Sequence, residues 1–214
     1  MANGFFIALE GIDGAGTTTQ LRRLGEALWQ RGYTVTTTVE PSDGPVGVLL
    51  RQALTAGWPA SEGTLALLFA ADRLHHVQHT IAPALRRGEV VLCDRYVMSS
   101  YAYQSTALPD DWVRSVNAEA PAPDAHLFFR VDPEIAGQRR ASRGEAPERF
   151  DAATRQAQVA AAYEKLATGP HALRGVHTID ANQSAGAVTA AATTLILKLL
   201  QEAQSTPAGA PPCP

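Results

Sequence analysis

Glu10-Gly11-Ile12-Asp13-Gly14-Ala15-Gly16-Thr17-Thr18 combines residue types and spacing suited to holding phosphate. Gly11, Gly14 and Gly16 permit a tight turn and let backbone N–H groups come close to an anion. The spacing is that of G-x-x-x-x-G-K-[ST], with Thr17 where lysine is required and Thr18 in the hydroxyl position. Gly11, Ile12, Asp13, Gly14, Ala15, Gly16, Thr17 and Thr18 are therefore candidate nucleotide-phosphate ligands, and the Thr18 hydroxyl is a candidate Mg²⁺ ligand. A second acid, Asp94, ends the apolar run Val90–Cys93 and is followed by Arg95. An acid in that place holds Mg²⁺ directly or through water, and its arginine neighbour faces the phosphates. Asp72, His75, His76 and His79 lie within two helical turns, and His75 and His79 share a face. With no third series of ligands nearby, that cluster reads as a helix face rather than a metal site.

These groups need a frame that brings them together. Phe5–Leu9 is short and apolar and ends at glycine, which reads as a buried parallel strand. Leu21, Leu24 and Leu28 recur at helical spacing, and Gly32 stops that helix. Tyr33–Val39, rich in Val and Thr, is a second strand, so the glycine loop sits in a βαβ unit. Further strands are expected at Val90–Cys93, Leu127–Val131 and Val176–Asp180. Helices are expected at Pro45–Ala56, Gly63–Gly88 (kinked or restarted at Pro83), Met98–Thr106, Asp110–Ala118, Pro133–Ser142, Ala152–Ala167 and Ala185–Ala203. Alternation of this kind implies an α/β fold with a five-stranded parallel sheet flanked by helices. Ligands should bind at the carboxyl ends of its strands, where the glycine loop, Glu40-Pro41 and Asp94-Arg95 all fall. Residues 1–204 read as one domain. Arg143–Asp151 is a polar Gly- and Pro-containing loop, and 205–214 is a Pro/Ala-rich tail with nothing to bury.

Composition narrows the function classes. The chain has 214 residues and a net charge of -3, which gives no general affinity for nucleic acid or membrane. Sixteen of its 18 basic residues are arginines, a bias that high genomic GC content also produces, and any phosphate contacts would fall to guanidinium groups. Cys93 and Cys213 form no disulfide framework or zinc spacing. No run is apolar enough to span a bilayer, and no secretory leader is recognisable, so the expected location is the cytoplasm.

Several segments carry a more specific likeness. Leu9–Gly16, Glu40-Pro41, Leu68-Phe69-Ala70-Ala71-Asp72-Arg73, Asp94-Arg95-Tyr96 with Ser99–Gln104, and Ile179–Ser184 together resemble the bacterial thymidylate kinases, in order from Phe5 to about Leu200. The resemblance implies a nucleoside-monophosphate-kinase-like fold with a short lid at about 143–151. It also implies transfer of the γ-phosphoryl of ATP to dTMP with Mg²⁺, and a homodimer. By position, Phe69 would stack on thymine and Arg73 would bond a base carbonyl, with Ser100 and Gln104 on the base edge. Tyr103 would pack near the sugar. Arg51 and Arg95 would clamp the acceptor phosphate, beside Asp13. Glu40 would organise the metal and its waters, Asn182 and Gln183 would lie near adenine, and the lid would supply arginines. Two departures stand out: Thr17 replaces lysine, and Ser105–Pro109 lacks the family's glycine-rich continuation.

The missing lysine poses a defined question. The acceptor is a phosphate oxygen already largely ionised near neutral pH, its second pKa being about 6, so no strong base is required. Catalysis is alignment and charge stabilisation, and losing one cation costs around a thousandfold, roughly 4 kcal/mol. Arg143 or Arg149, with Arg95, is the expected source of that charge. Two other readings stay open: a nucleotide-binding protein that has lost the chemistry, and a deoxynucleoside kinase.

Overall fold

The computed structural model describes residues 4–55, 60–143, 153–170 and 172–205. Five parallel strands form its centre: β1 (Phe5–Glu10), β2 (Val35–Val39), β3 (Val90–Asp94), β4 (Ala125–Arg130) and β5 (Val176–Asp180), in the order β2-β3-β1-β4-β5. Leu9 and Val39 both pair with Asp94, Glu10 with Phe128, and Arg130 with Asp180, so the carboxyl ends line up along one edge. The chain leaves β1 toward β2 on one side and later reaches β4 on the other. This is the arrangement in which a crevice opens beyond the strand ends.

Burial follows from the side-chain alternation of each strand. Ile7, Leu9, Leu92, Leu127 and Phe129 join the larger core, while Phe6, Ala8, Val91 and Cys93 face a smaller one with Ile81 and Tyr96. β1 and β3 are buried on both faces, which is why they read as continuous apolar runs. The outer strands β2 and β5 carry threonines and a histidine and are only partly covered.

Helices α1 (Thr17–Trp29) and α9 (Ala185–Ser205) pack together, as do α2 (Pro45–Thr55) and α3 (Glu62–His76). The Ser61 hydroxyl caps α3 by accepting the Thr64 N–H at 3.1 Å. α3 runs through one wider, π-type turn at Val77–Ile81 into α4 (Ala82–Arg86). The expected disturbance at Pro83 therefore falls just ahead of it: Pro83 offers no N–H to the preceding turn, and the widened turn absorbs the misfit. α5 (Val97–Tyr103) tightens into a 3₁₀ turn at Gln104–Thr106, followed by α6 (Asp110–Val116), α7 (Pro133–Arg143) and α8 (Ala153–Thr168). No helix among the described residues is long and apolar enough to cross a membrane.

Some boundaries differ from expectation for local reasons. β2 starts at Val35, not Tyr33, because Gly32 turns left-handed (φ 87°) and the Tyr33 N–H closes α1 on the Leu28 carbonyl at 3.2 Å. β4 starts at Ala125, since Asp124 is already pinned to Phe6 through its backbone N–H and its carboxylate. Arg143 ends a helix instead of opening a loop, and Ser205 lies in the last turn of α9. The expected loop beyond Arg143 and the tail beyond Ser205 fall outside the described residues.

Candidate active site

The glycine loop lies between β1 and α1. Gly14 (φ 92°) and Gly16 (φ 91°) adopt left-handed backbone that other residues resist. A Cβ on Gly14 would stand 2.4 Å from the Ala136 carbonyl oxygen, so the backbone of α7 seats directly against the loop. The first helical bond of α1 runs from the Gln20 N–H to Gly16. The N–H groups of Thr17, Thr18 and Thr19 thus precede the intrahelical ladder, at the positive end of a 13-residue helix with no acid in its first turn. Thr17 itself is 6% exposed and brings no charge.

Beside the loop, the Thr18 hydroxyl donates to Asp94 Oδ2 at 2.7 Å. Asp94 is buried, and its Oδ1 has no hydrogen-bond partner among the described residues. A buried carboxylate oxygen left unsatisfied next to a hydroxyl suits a hard cation that takes oxygen ligands. Thr18 and Asp94 therefore fit Mg²⁺.

Arg95, at φ 68°, is the sole non-glycine residue with positive φ among those described. Its N–H is tied to Leu9 at 2.8 Å, and its guanidinium donates to the Gly11 carbonyl at 3.1 Å and to the Asp13 carboxylate. The strained backbone is held by bonds on both sides, the usual condition for strain to persist at a site. The other Asp13 oxygen accepts from Gln156 of α8 at 2.7 Å, and the Asp13 carbonyl accepts from Arg140 of α7. Asp13 is thus the point where the loop, the turn after β3, α7 and α8 meet.

Under this turn lies Glu10, fully buried. Its carboxylate accepts from the Tyr96 N–H (3.1 Å), the Ser99 hydroxyl (2.6 Å) and the Tyr163 hydroxyl (3.3 Å). Tyr96, the residue ahead of α5, gives no side-chain cap, and Glu10 instead ties the Tyr96 N–H and the Ser99 hydroxyl to β1. Burial pushes the Glu10 carboxyl up to about 7, against the pull of Ser99 and Arg95.

A second network forms beyond β2. Arg73, 1% exposed, donates to Glu40 at 3.0 Å, to Ser100 at 3.0 Å and to Asn117, with the Tyr96 ring 5.2 Å from its guanidinium carbon. His76 lies 3.2 Å from the other Glu40 oxygen and 2.6 Å from the Thr38 hydroxyl. Asp72 holds Ser42 through its N–H (2.7 Å) and its hydroxyl. Arg51, partly exposed, reaches the Pro41 carbonyl at 2.7 Å and Asp43 at 3.2 Å.

The structure brings Arg73 and Ser100 together, and likewise Arg95 and Asp13. Tyr103 is 6% exposed with its ring 5.2 Å from the Arg95 guanidinium carbon, Gln104 is buried with no partner for its Oε1 among the described residues, and Phe69 is half-buried against the core. Glu40 is not beside the Thr18–Asp94 pair by any direct side-chain bond: Arg73 and His76 take its carboxylate. Asn182 accepts the Asp132 N–H at 2.9 Å and Gln183 donates to Asp180 at 3.2 Å, while Arg139 of α7 bonds the Ala181 carbonyl at 2.9 Å. The side chain of Arg143, and all of Arg149, lie outside the described residues. The histidine cluster does not converge. His75 and His79 stack with ring centroids 4.3 Å apart, whereas His76 turns inward. Glu40, His76 and Cys93 approach one another, but the Arg73 guanidinium on Glu40 disfavours a cation there.

Sequence reasoning missed Glu10, His76 and Asn117 as site-building residues, and Arg140 and Gln156 as partners of the loop. Arg140 had a readable signal, being one helical turn beyond Ala136 on the helix after β4. A lone Asn117 after a short helix had none.

The thymidylate kinase family model matches residues 9–192. A thymidylate kinase of Xanthomonas campestris pv. campestris is 39% identical over 200 residues, covering 93% of this chain and 86% of that protein. One from Xanthomonas oryzae pv. oryzae matches to the same extent. A probable thymidylate kinase of Pyrococcus abyssi is 40% identical over 170 residues, 77% of this chain and 83% of that protein. With a parallel sheet, a glycine loop backed by α7 and a hydroxyl–carboxylate pair at the strand ends already in view, this chain belongs to the thymidylate kinase family.

Proposed function

We propose that the protein is a dTMP kinase that uses ATP and Mg²⁺, with the loop accepting ATP despite Thr17. The observation that carries this reading is the Thr18–Asp94 pair, 2.7 Å apart at the mouth of the glycine loop, with Asp94 Oδ1 left open. Thr18 and Asp94 would hold Mg²⁺, which would supply positive charge against the phosphates. The loop N–H groups hold the β- and γ-phosphates of ATP, and Asn182 and Gln183 flank its adenine. Arg95 and Arg51 hold the dTMP phosphate beside Asp13. Arg73, fixed by Glu40, presents its edge with Ser100 and Gln104 to the base, over which Phe69 stacks, and Tyr103 closes the sugar side. A dTMP phosphate oxygen attacks the γ-phosphorus, the bond to the ADP oxygen breaks, and dTDP and ADP leave. The attacking oxygen needs no deprotonation above pH of about 6. Arg143 and Arg149 are candidates for further contacts to ATP.

The residues to 204 act as one catalytic domain. A homodimer is supported by apolar side chains left open on two adjacent helices, Val48 and Leu49 on α2 and Leu67 and Leu74 on α3, between 40% and 52% exposed. Light scattering at micromolar concentration would return twice the 22.7 kDa chain mass.

Thr17 favours one competing reading, a protein that binds both nucleotides without turnover. Offering dTMP and thymidine in parallel with ATP and Mg²⁺, and identifying products by ³¹P NMR, separates the readings. The kinase reading expects dTDP from dTMP and little dTMP from thymidine. Phosphorylation of thymidine alone would contradict it.

A further inference from the structure

The two carboxylate oxygens of Asp13 are held by groups of different kinds. Oδ1 accepts from Nη2 of Arg95, and Oδ2 accepts from Nε2 of Gln156 at 2.7 Å. Arg95 therefore engages the carboxylate through one nitrogen. Its Nη1 rests on neutral acceptors, the Gly11 carbonyl at 3.1 Å and the Ser99 hydroxyl at 3.4 Å. An arginine and a carboxylate with both oxygens open favour two parallel bonds, and this pair makes one.

Gln156 reaches Asp13 from a helix fixed on either side of it. It is 1% exposed, in the first turn of α8. Its neighbour Arg155 donates to both carboxylate oxygens of Glu62 on α3, at 3.2 and 3.0 Å. Val159 and Tyr163 continue the same buried face, and the Tyr163 hydroxyl meets Ser99 at 2.7 Å and Glu10 at 3.3 Å. The core thus sets where the amide stands. The amide is also neutral, so it occupies an Asp13 oxygen without replacing the charge of Arg95.

We infer that Gln156 is a positioning residue that holds Asp13 to a single bond with Arg95, so that Nη1 of Arg95 can exchange its carbonyl and hydroxyl partners for the phosphate of the acceptor nucleotide. This rests on the proposed function, in which Arg95 holds that phosphate. Without the amide, the freed Asp13 oxygen turns to Nη1 and the pair becomes bidentate. The incoming phosphate must then displace a carboxylate instead of a peptide carbonyl, which is the weaker acceptor for a guanidinium.

The test uses Gln156→Leu, which keeps the bulk and removes the donor, and Gln156→Glu, whose carboxyl donates to Asp13 only while protonated. Calorimetry gives dTMP, thymidine and ADP affinities, and dTMP-dependent ADP release gives KM and kcat. Q156L should weaken dTMP about tenfold, with KM for dTMP rising in step, and change thymidine and ADP by less than about twofold. In an Asp13→Asn background, where Arg95 has no carboxylate to close on, Q156L should add little to the loss of dTMP affinity. Around the carboxyl of Q156E stand Asp13 on the loop, Arg95 after β3, Tyr103 on α5, Arg140 on α7, and Arg155 paired with Glu62 of α3. Burial and the Asp13 carboxylate favour the protonated form of that carboxyl. Q156E should therefore bind dTMP nearly as the parent does at about pH 5.5 and fall behind the parent, compared at equal pH, toward about pH 8. The inference is overturned if Q156L binds dTMP like the parent, if it weakens dTMP and thymidine equally, or if it acts equally in the parent and D13N backgrounds. A Q156E deficit that is the same at every pH also overturns it, since altered packing alone would give that result. Should the parent bind dTMP yet form no dTDP, the kinase reading fails, and the binding series still decides the role of Gln156.

Discussion

On the β2–α3 side of the site, Glu40 and Arg73 are each 2% exposed at the side chain and close on each other at 2.8 Å, with His76, Ser100 and Asn117 filling the remaining positions. At the glycine loop, Arg95 and Asp13 are 22% and 30% exposed, and the N–H groups of Thr17, Thr18 and Thr19 precede the first helical bond. The first region is a wall of buried side-chain charge, built before any ligand arrives. The second is a cradle of peptide groups whose charges sit at its rim and come from other elements. Buried ion pairs contribute through mutual compensation, and removing one partner strands the other. Rim charges add little to folding and act mainly on what binds. Changes in the wall should therefore be felt in stability, and changes in the cradle in turnover.

The largest effect should fall in the wall. Arg73→Ala leaves the Glu40 carboxylate buried without its guanidinium, and urea denaturation should show a loss of about 3–5 kcal/mol. A stable Arg73→Ala protein with only its KM for dTMP raised would erase the contrast between the two regions.

Asp94→Asn sharpens it from the other side. This change leaves an acceptor for the Thr18 hydroxyl and removes the charge expected to hold Mg²⁺. Steady-state rates should fall by about a hundredfold to a thousandfold, with no loss of melting temperature. A large drop in stability would mean that Asp94 is structural.

A third comparison lies beneath both regions. Burial lifts the Glu10 carboxyl from its ordinary 4.5 to about 7 and lowers His126, 4.0 Å away, from 6.5 to about 4. The folded chain keeps a proton on Glu10 that the unfolded chain gives up, so the Glu10 contribution to stability falls as pH rises from 4.5 to about 7. The folded chain refuses a proton on His126 that the unfolded chain accepts, so that contribution rises with pH from about 4 to 6.5. Between 4.5 and 6.5 the two slopes oppose each other. Glu10→Gln should expose the His126 slope, with stability rising across that window by roughly 2–3 kcal/mol, and His126→Gln the reverse. Denaturation at pH 5 and pH 6.5 measures both, and parallel slopes in the two variants would contradict the pairing.

The smallest stability effect belongs to Arg51, 40% exposed and held by a carbonyl and an exposed Asp43. Arg51→Ala should shift stability by less than about 0.5 kcal/mol, while raising KM for dTMP.

The contrast between the regions also explains what could be read in advance. The cradle was legible because glycines at fixed spacing, an apolar strand before and a helical pattern after are all local. The same holds for Asp94, which ends a short buried run, and for all five strands to within two residues. The wall was less legible. Arg73 and His76 read as charges on a helix face, and their burial depends on Glu40 and Asn117, which are 33 and 44 residues from Arg73 in the chain. Glu10 looked like part of the loop motif, but its partners Tyr96, Ser99 and Tyr163 become neighbours only when β1, β3 and α8 are assembled.

The claim beneath all of this is that a phosphate cradle with threonine in place of lysine still catalyses transfer. The direct measurement is dTMP-dependent ADP release by the purified chain with ATP and Mg²⁺, with dTMP binding followed in the same preparation. The account predicts equal amounts of ADP and dTDP, formed only when dTMP is present. Saturable dTMP and ATP binding with no ADP formed would contradict it.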